Sequence, residues 1–224
     1  PSLVQDMKPE DIAFFEKIYR KVLAEATQTK VLLQTYFGDV RDVYQKLTEL
    51  PFAGIGLDFI EGRQTAALIE KYGFPKDKVL FAGVVNGKNI WKNHYEKTLG
   101  ILKKLQGKGI QTVVSTSCSL LHVPYTLRHE KRLAQEYTAY FSFAEEKLKE
   151  LKDLGALADC GEPEKKVAYV ENRELFSKGR DCGNGKVRER LAGVRDSDYT
   201  RLPKRDERQR LQKKVLGLPE FPTT

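Results

Sequence analysis

Polar and reactive side chains follow four short apolar runs of this sequence, each at the point where a run ends. A thiol beside an imidazole can form a nucleophilic pair, a carboxylate can move a proton, and amide or ammonium groups can hold an anion. The candidate residues are Gln34, Tyr36, Asp58, Asn86, Lys88, Ser117, Cys118 and His122. If the runs are parallel strands, these side chains share one rim of the sheet, where α/β barrels place their chemistry.

The strongest local candidate for chemistry is the pair of Cys118 and His122, in which Cys118 directly follows Ser117. Proximity of the two could activate a thiolate, but their spacing gives them a common face only in a helix, which Pro124 argues against. The alternative is that Cys118 is a small buried residue and His122 a loop residue. The three cysteines (118, 160, 182) and three histidines (94, 122, 129) show no zinc-ligand spacing, so we expect no metal site here.

Asp58 and the turn at Asn86–Asn89 each allow two interpretations. A carboxylate at the end of a buried strand is costly without a partner, so Asp58 either accepts structural hydrogen bonds or contacts a ligand. The turn offers amide groups and the cation of Lys88, which suit a carboxylate or a phosphate. It equally suits a plain connection between a strand and a helix.

The apolar runs themselves predict the fold. They are nearly continuous and rich in β-branched and small residues, which is typical of parallel strands buried on both faces. The predicted strands are Lys30–Tyr36, Phe52–Phe59, Lys78–Val85 and Gln111–Thr116. Each is followed by a helix-like stretch, so the sequence predicts four consecutive βα units. Four units make half of an α/β barrel.

The rest of the chain is predicted to be mainly helical. The longest helix is expected at about Glu130–Leu154, from apolar residues at helical spacing. We expect four βα units over residues 1–159, a charged helical extension over 160–216 and a stiff linker over 217–224. Residues 160–224 carry 16 Lys and Arg against 11 Asp and Glu, which makes this third of the chain basic.

Composition limits the classes of function. No run approaches the roughly 18 apolar residues of a membrane span. The odd number of cysteines argues against a disulfide framework and favours a reducing, cytoplasmic setting. The net charge of +8 raises nucleic acid as a partner, but aromatic residues for base stacking are sparse in the basic third, so a solvated surface is the preferred interpretation.

Several segments together resemble one family, the cobalamin-independent methionine synthases. They are Leu33–Gly38, Gly54–Phe59, Phe81–Trp91, Val114–Tyr125 and Leu218–Thr224. The resemblance covers nearly the whole chain. It implies a TIM-barrel-type α/β fold, with these four strands as strands five to eight of the N-terminal (βα)₈ barrel, and it implies that the final segment resembles the linker between the family's two barrels.

The resemblance also implies a function. Enzymes of this family transfer a methyl group from 5-methyltetrahydrofolate polyglutamate to homocysteine, whose thiolate is bound to zinc in the C-terminal barrel. If the two barrels arose by duplication, Gln34, Tyr36, Asp58 and Cys118 stand near the positions of the zinc ligands. Glutamine and tyrosine are poor zinc ligands. The resemblance therefore implies no cofactor in this segment and zinc in the other barrel.

We accordingly expect this chain to be a fragment of a cytoplasmic methyltransferase and inactive alone. It would scaffold the domain interface and the folate side, and it has no catalytic set of its own. Its expected partners are the C-terminal barrel and the first half of the N-terminal barrel, with no membrane and no nucleic acid. Two alternatives remain: a stand-alone module that binds a small anion, and a non-specific nucleic-acid binder that uses the basic C-terminal third.

Overall fold

The computed structural model describes residues 2–178, 184–217 and 219. The chain divides into two compact units, residues 1–179 and 180–224. The helices and strands of the first unit are α1 (Pro9–Glu25), β1 (Leu32–Gln34), α2 (Tyr44–Glu49), β2 (Gly54–Asp58), α3 (Thr65–Tyr72), β3 (Val79–Val85), α4 (Tyr95–Gly107), β4 (Thr112–Thr116), α5 (Gln135–Thr138), α6 (Ala144–Ala158) and α7 (Val167–Ser177). The second unit contains α8 (Gly185–Ala192) and α9 (Arg205–Leu216). Within the described ranges, every helix is too short or too polar to cross a bilayer.

The four strands form one parallel sheet in the order β1-β2-β3-β4. This arrangement confirms the predicted α/β class and the predicted sequential order of parallel strands. Each observed strand lies inside its predicted segment, and helices separate the strands along the chain. The carboxyl ends of all four strands therefore lie at the same edge of the sheet.

The two faces of the sheet carry different side chains. On the helix face, Ile55 is in register with Leu80, and both are fully buried in a core shared with the helices. On the opposite, open face, Leu32 is in register with Gly54, and its side chain is 43% exposed. Val113 on the same face is 41% exposed. The sheet thus has one well-packed face and one face that is only partly covered.

The predicted long helix at Glu130–Leu154 is wrong. The chain instead forms the four-residue helix α5, an extended stretch, and then α6, which begins at Ala144. The extended stretch pairs with the segment before α4: Trp91 forms an antiparallel bridge with Phe141, and the Ser142 N–H donates to the Ile90 carbonyl oxygen at 2.6 Å. These long-range hydrogen bonds outweigh the helical spacing of the apolar residues.

The C-terminal region contains the predicted charged helices. Helices α8 and α9 bury none of their residues, which fits their polar sequence. Helix α7, in the predicted extension, is part of the first unit and packs against α4. The division at residue 159 stays a prediction, and most of the predicted linker at 217–224 lies outside the described residues.

The outer strands β1 and β4 lead to a prediction about self-association. Each has a single neighbouring strand in the described part of the chain, and exposed strand edges pair readily with other chains. We expect the purified chain to self-associate, unless its own residues 160–224 cover an edge. Light scattering after size-exclusion chromatography should show a mass that rises with concentration.

A lysine at an exposed position of β4 tests whether the chains associate through the edge of this strand. Val113→Lys should shift the chain toward monomer, because a charge on an edge strand opposes pairing. Val187→Lys on α8, where the native side chain is 53% exposed, is the matched control and should leave the mass unchanged. A monomer at every concentration, with residues 160–224 rapidly cleaved by protease, would contradict the prediction.

Candidate ligand rim at the carboxyl ends of the strands

The predicted site residues do gather at one edge of the first unit. Gln34 ends β1, Asp58 ends β2, Asn86 follows β3 directly, and Ser117 follows β4 directly. Parallel pairing places these strand ends side by side. The sequence therefore predicted that these side chains share one edge of the sheet.

Asp58 is committed to the backbone of two loops. Its side chain is buried, and its carboxylate accepts hydrogen bonds from the N–H groups of Phe37 at 3.0 Å, Ile60 at 2.7 Å and Glu61 at 2.9 Å. Burial raises the pKa of this carboxyl, although the three N–H donors oppose the shift. Of the two interpretations of Asp58, the geometry supports the structural one.

Phe37 is the residue that the Asp58 contact holds in an unusual conformation. Its φ of 69° lies in the left-handed region, which a bulky side chain rarely adopts. The ring packs edge-on against His122, with 5.3 Å between ring centroids, and the ammonium of Lys88 lies 5.6 Å from the Phe37 centroid. Lys88 also pairs with Glu61 at 3.2 Å. We call Phe37, Glu61, Lys88 and His122 the rim cluster.

Asn86 and Ser117 shape the connection after β3. The Asn86 side-chain oxygen accepts from the N–H groups of Lys88 at 2.8 Å and Asn89 at 3.2 Å, which closes the turn. The Gly87 N–H donates to the Ser117 hydroxyl oxygen at 3.2 Å. The amides of this turn are thus largely used by the protein itself. The geometry favours the plain-turn interpretation over an anion site.

Cys118 and His122 do not form a nucleophilic pair. Cys118 is 4% exposed, its thiol lies 3.8 Å from the carbonyl oxygen of Ser119, and burial raises its pKa. His122 is exposed and its ring contacts Phe37 instead. A buried thiol with a raised pKa holds its proton, so it is a poor nucleophile. The geometry agrees with the interpretation of Cys118 as a packing residue.

Gln34 and Tyr36 complete the rim on the β1 side. The Gln34 amide donates to the Thr35 carbonyl oxygen at 3.3 Å, and its side chain lies directly over Gly56, in space that any larger residue at 56 would fill. The Tyr36 ring packs edge-on against Phe37. Both side chains pack on the open face of the sheet and its rim.

These contacts do not fit a zinc ion. Asp58 faces three backbone donors, Cys118 is buried beside Ser119, and the described residues contain no group of three or more His, Cys, Asp or Glu placed to hold a metal. Zinc in proteins needs about four N, S or O ligands in a tetrahedron. The donors of this rim are directed at the protein's own backbone.

Elemental analysis tests whether the chain binds zinc in solution. We expect the purified chain to hold no stoichiometric zinc after dialysis against a weak chelator, because a single thiol cannot form a tetrahedral site. The measurement is inductively coupled plasma mass spectrometry on the chain and on a Cys118→Ser variant. One zinc per chain that is lost in the variant would show that the rim rearranges to bind metal.

Sequence reasoning missed two kinds of residue. Phe37 and Glu61 were not among the candidates, although each lies within three residues of one that was. The buried charges Lys147, 0% exposed, and Glu150, 3% exposed, also went unnoticed. Their signal would have been their position on the apolar stripe of α6, which the wrong helix boundaries obscured.

Comparison with known proteins identifies the relatives of this chain. Residues 1–109 match the family described as cobalamin-independent synthase, N-terminal domain. The 5-methyltetrahydropteroyltriglutamate–homocysteine methyltransferases of Campylobacter jejuni, Streptococcus sanguinis and Streptococcus suis are 48%, 49% and 50% identical to it over all 224 residues. The chain spans 29% of the length of each. The resemblance to cobalamin-independent methionine synthases is therefore confirmed over the full chain.

Proposed function

We propose that this chain forms part of the N-terminal domain of a methyltransferase that makes methionine from homocysteine and 5-methyltetrahydropteroyltriglutamate. The observation that carries the proposal is the identity of 48–50% along the whole chain to relatives that are named for this reaction. Identity of this extent supports a shared fold for the matching segment. The free thiols of Cys118 and Cys160 support a reducing, cytoplasmic setting.

The unequal faces of the sheet support assignment of the chain to half of a TIM-type barrel. In a closed barrel the outer face is covered by helices and the inner face is filled by side chains from the other strands. The helix face here is packed, whereas Leu32 and Val113 on the open face are partly exposed. Four further βα units would cover the open face and pair with β1 and β4. The first half of the N-terminal barrel is thus the proposed partner within the same enzyme.

The rim supports a positioning role rather than a catalytic one. Asp58, Asn86 and Ser117 accept hydrogen bonds from the backbone of the rim loops, so their oxygens are occupied by the fold. The rim cluster is exposed, with Lys88 paired to Glu61, and in this proposal it faces the C-terminal barrel or the folate side. Zinc and the activation of homocysteine belong, in this proposal, to the other barrel.

Exchange into a relative tests the proposal. The 224 residues would replace the matching segment of the Streptococcus suis enzyme, and the chimera would be assayed for methionine formation and for rescue of a methionine auxotroph. We expect the chimera to be active, because the segments are 50% identical over their whole length. The 224-residue chain alone should give no turnover.

Two controls make the result interpretable. Leu80→Asp in the chimera places a charge at a fully buried core position and should abolish activity through misfolding. Circular dichroism and a melting curve report folding of the unmutated chimera independently. A folded chimera without activity would contradict the proposal, as would turnover by the 224-residue chain alone.

A further inference from the structure

Helix α1 carries two apolar faces, and only one of them is buried in the first unit. Phe15 is buried and Tyr19 packs against the core, which fixes the inner face. Phe14, Ile18 and Val22 are 65%, 41% and 50% exposed. They follow one another at intervals of four residues, so they form a row about 12 Å long on one side of the helix. We call Phe14, Ile18 and Val22 the α1 stripe.

The α1 stripe lies on the side of the helix that faces away from α2. Helix α2 packs against α1, and Ile12 and Glu16 line the groove between the two helices. In an α-helix, residues two positions apart point to nearly opposite sides, about 200° from each other. Phe14 and Ile18 are two positions from Ile12 and Glu16, respectively. Because α2 leads to β2, the α1 stripe faces the direction in which the sheet would continue beyond β1.

A groove of about 430 Å³ lies beside the first half of the α1 stripe. Leu3 and Met7 line it from the segment that precedes α1, and Phe14 and Ile18 line it from the helix. The Met7 N–H donates to the Asp42 carboxylate at 2.9 Å, which ties this segment to the stretch between β1 and α2. The groove is therefore a formed, largely apolar feature of the surface, suited to side chains of a partner.

The spacing of the α1 stripe and its position in the fold indicate the occupant. Side chains four residues apart form the ridges that pack into the grooves of a neighbouring helix. In the described part of the chain, β1 pairs with β2 alone. A further βα unit on the free side of β1 would bring a strand to pair with β1 and a helix to lie beside α1. The chain spans 29% of the length of its relatives, which leaves ample sequence for such a unit.

We propose that the α1 stripe is the docking face for an amphipathic helix from the first half of the N-terminal barrel. The inference rests on the proposed function and adds a contact in the outer layer of helices to the pairing of strands. The partner helix presents apolar residues at three- and four-residue spacing, and burial of both apolar surfaces drives the contact. Asp6 and Asp11 line one end of the groove, so we expect a Lys or Arg at the matching end of the partner.

Thiol accessibility in the chimera with the Streptococcus suis enzyme tests the proposal. Phe14→Cys and Ile18→Cys each place a thiol in the α1 stripe. Alkylation by iodoacetamide is followed for each peptide by mass spectrometry, in the chimera and in the 224-residue chain alone. We expect both thiols to react at least about tenfold more slowly in the chimera, because a thiol that is buried in an apolar contact has a raised pKa and is shielded from the reagent.

Arg20→Cys is the matched control on the same helix. Arg20 is exposed and lies two positions from both Ile18 and Val22, so its side chain is on the opposite side of α1. A thiol at this position should react at the same rate in the chimera and in the 224-residue chain. Equal protection at position 20 and in the α1 stripe would contradict a specific docking face.

A photoreactive benzophenone attached to the thiol of the Phe14→Cys chimera identifies the occupant. Cross-links mapped by mass spectrometry should fall on one helix in the first half of the N-terminal barrel. Cross-links to the C-terminal barrel would overturn the proposal, as would stripe thiols that react equally fast in the chimera and in the chain alone. Protection in the 224-residue chain that rises with its concentration would also overturn it, because the occupant would then be a second copy.

Failure of this inference can be distinguished from failure of the proposed function. The unmutated chimera tests the proposed function through its activity and its melting curve, neither of which reports on the α1 stripe. A folded, active chimera with reactive stripe thiols would overturn the docking face alone. A folded, inactive chimera with protected stripe thiols and the expected cross-links would contradict the proposed function and support the docking face.

Discussion

Replacement of Asp58 by alanine is expected to lower the free energy of unfolding by about 3 kcal/mol, because it leaves three backbone donors without an acceptor. The donors are the N–H groups of Phe37, Ile60 and Glu61, which belong to the loops after β1 and β2. Urea denaturation followed by circular dichroism measures the change. Asp58→Asn retains one oxygen and should lose about half as much.

The control is an exposed aspartate. The Asp6 side chain is 92% exposed and lies 3.7 Å from the exposed guanidinium of Arg41, and exposed pairs of this kind contribute at most about 1 kcal/mol. Asp6→Ala should therefore change the denaturation midpoint little. If Asp58→Ala were no more destabilising than Asp6→Ala, the structural role of Asp58 would be wrong, and its carboxylate would be free for a ligand.

The raised pKa of Asp58 gives the same experiment a pH dependence. The folded protein holds the proton more tightly than the unfolded chain, because burial disfavours the charged form. This contribution to stability is fully present below the pKa of the unfolded chain and is lost as pH rises through the higher pKa of the folded state. The stability of the wild type relative to Asp58→Asn should therefore decrease as pH rises from the ordinary range of an aspartate toward neutrality.

The strands could be predicted from the sequence because burial on both faces leaves a continuous apolar run. β2 shows this clearly: all five of its residues are buried, and it lies inside the predicted segment Phe52–Phe59. The position of the rim followed from the same pattern, since parallel strands end at one edge. What each rim residue does there did not follow. The three donors to Asp58 come from loops whose conformation, including the positive φ of Phe37, has no periodic signal.

The segment before α6 shows why local spacing can mislead. Leu133, Tyr137 and Tyr140 have helical spacing, yet the chain is extended where Phe141 meets Trp91. The partner segment lies some fifty residues earlier, so nothing within a helix-length window indicates it. The same error hid the burial of Glu150, which looks like one more surface charge until the segment before α4, where the Asn93 N–H donates to its carboxylate, is placed beside it.

Gly87→Ala is expected to be a damaging single-methyl change at the rim. A Cβ at this position would lie 2.4 Å from the carbonyl oxygen of Cys118 and 3.0 Å from its carbonyl carbon. These are backbone atoms held by the end of β4, so they cannot move aside as a flexible side chain would. Overpacking of this kind costs about 1–3 kcal/mol, and the Gly87 N–H would also lose its contact with Ser117 as the turn shifts.

Gly100→Ala is the matched control with the opposite sign. Gly100 lies inside α4, and an added Cβ there meets nothing within 4 Å. Alanine is the better helix former by about 1 kcal/mol, so this variant should be stabilised. Denaturation midpoints measure both changes. In a Cys160→Ser, Cys182→Ser background, faster reaction of the Cys118 thiol with a disulfide reagent would locate the Gly87→Ala damage at the rim. If both Gly87→Ala and Gly100→Ala had the denaturation midpoint of the wild type, the Gly87 turn would be free to move. A rim that moves so easily could not position a substrate.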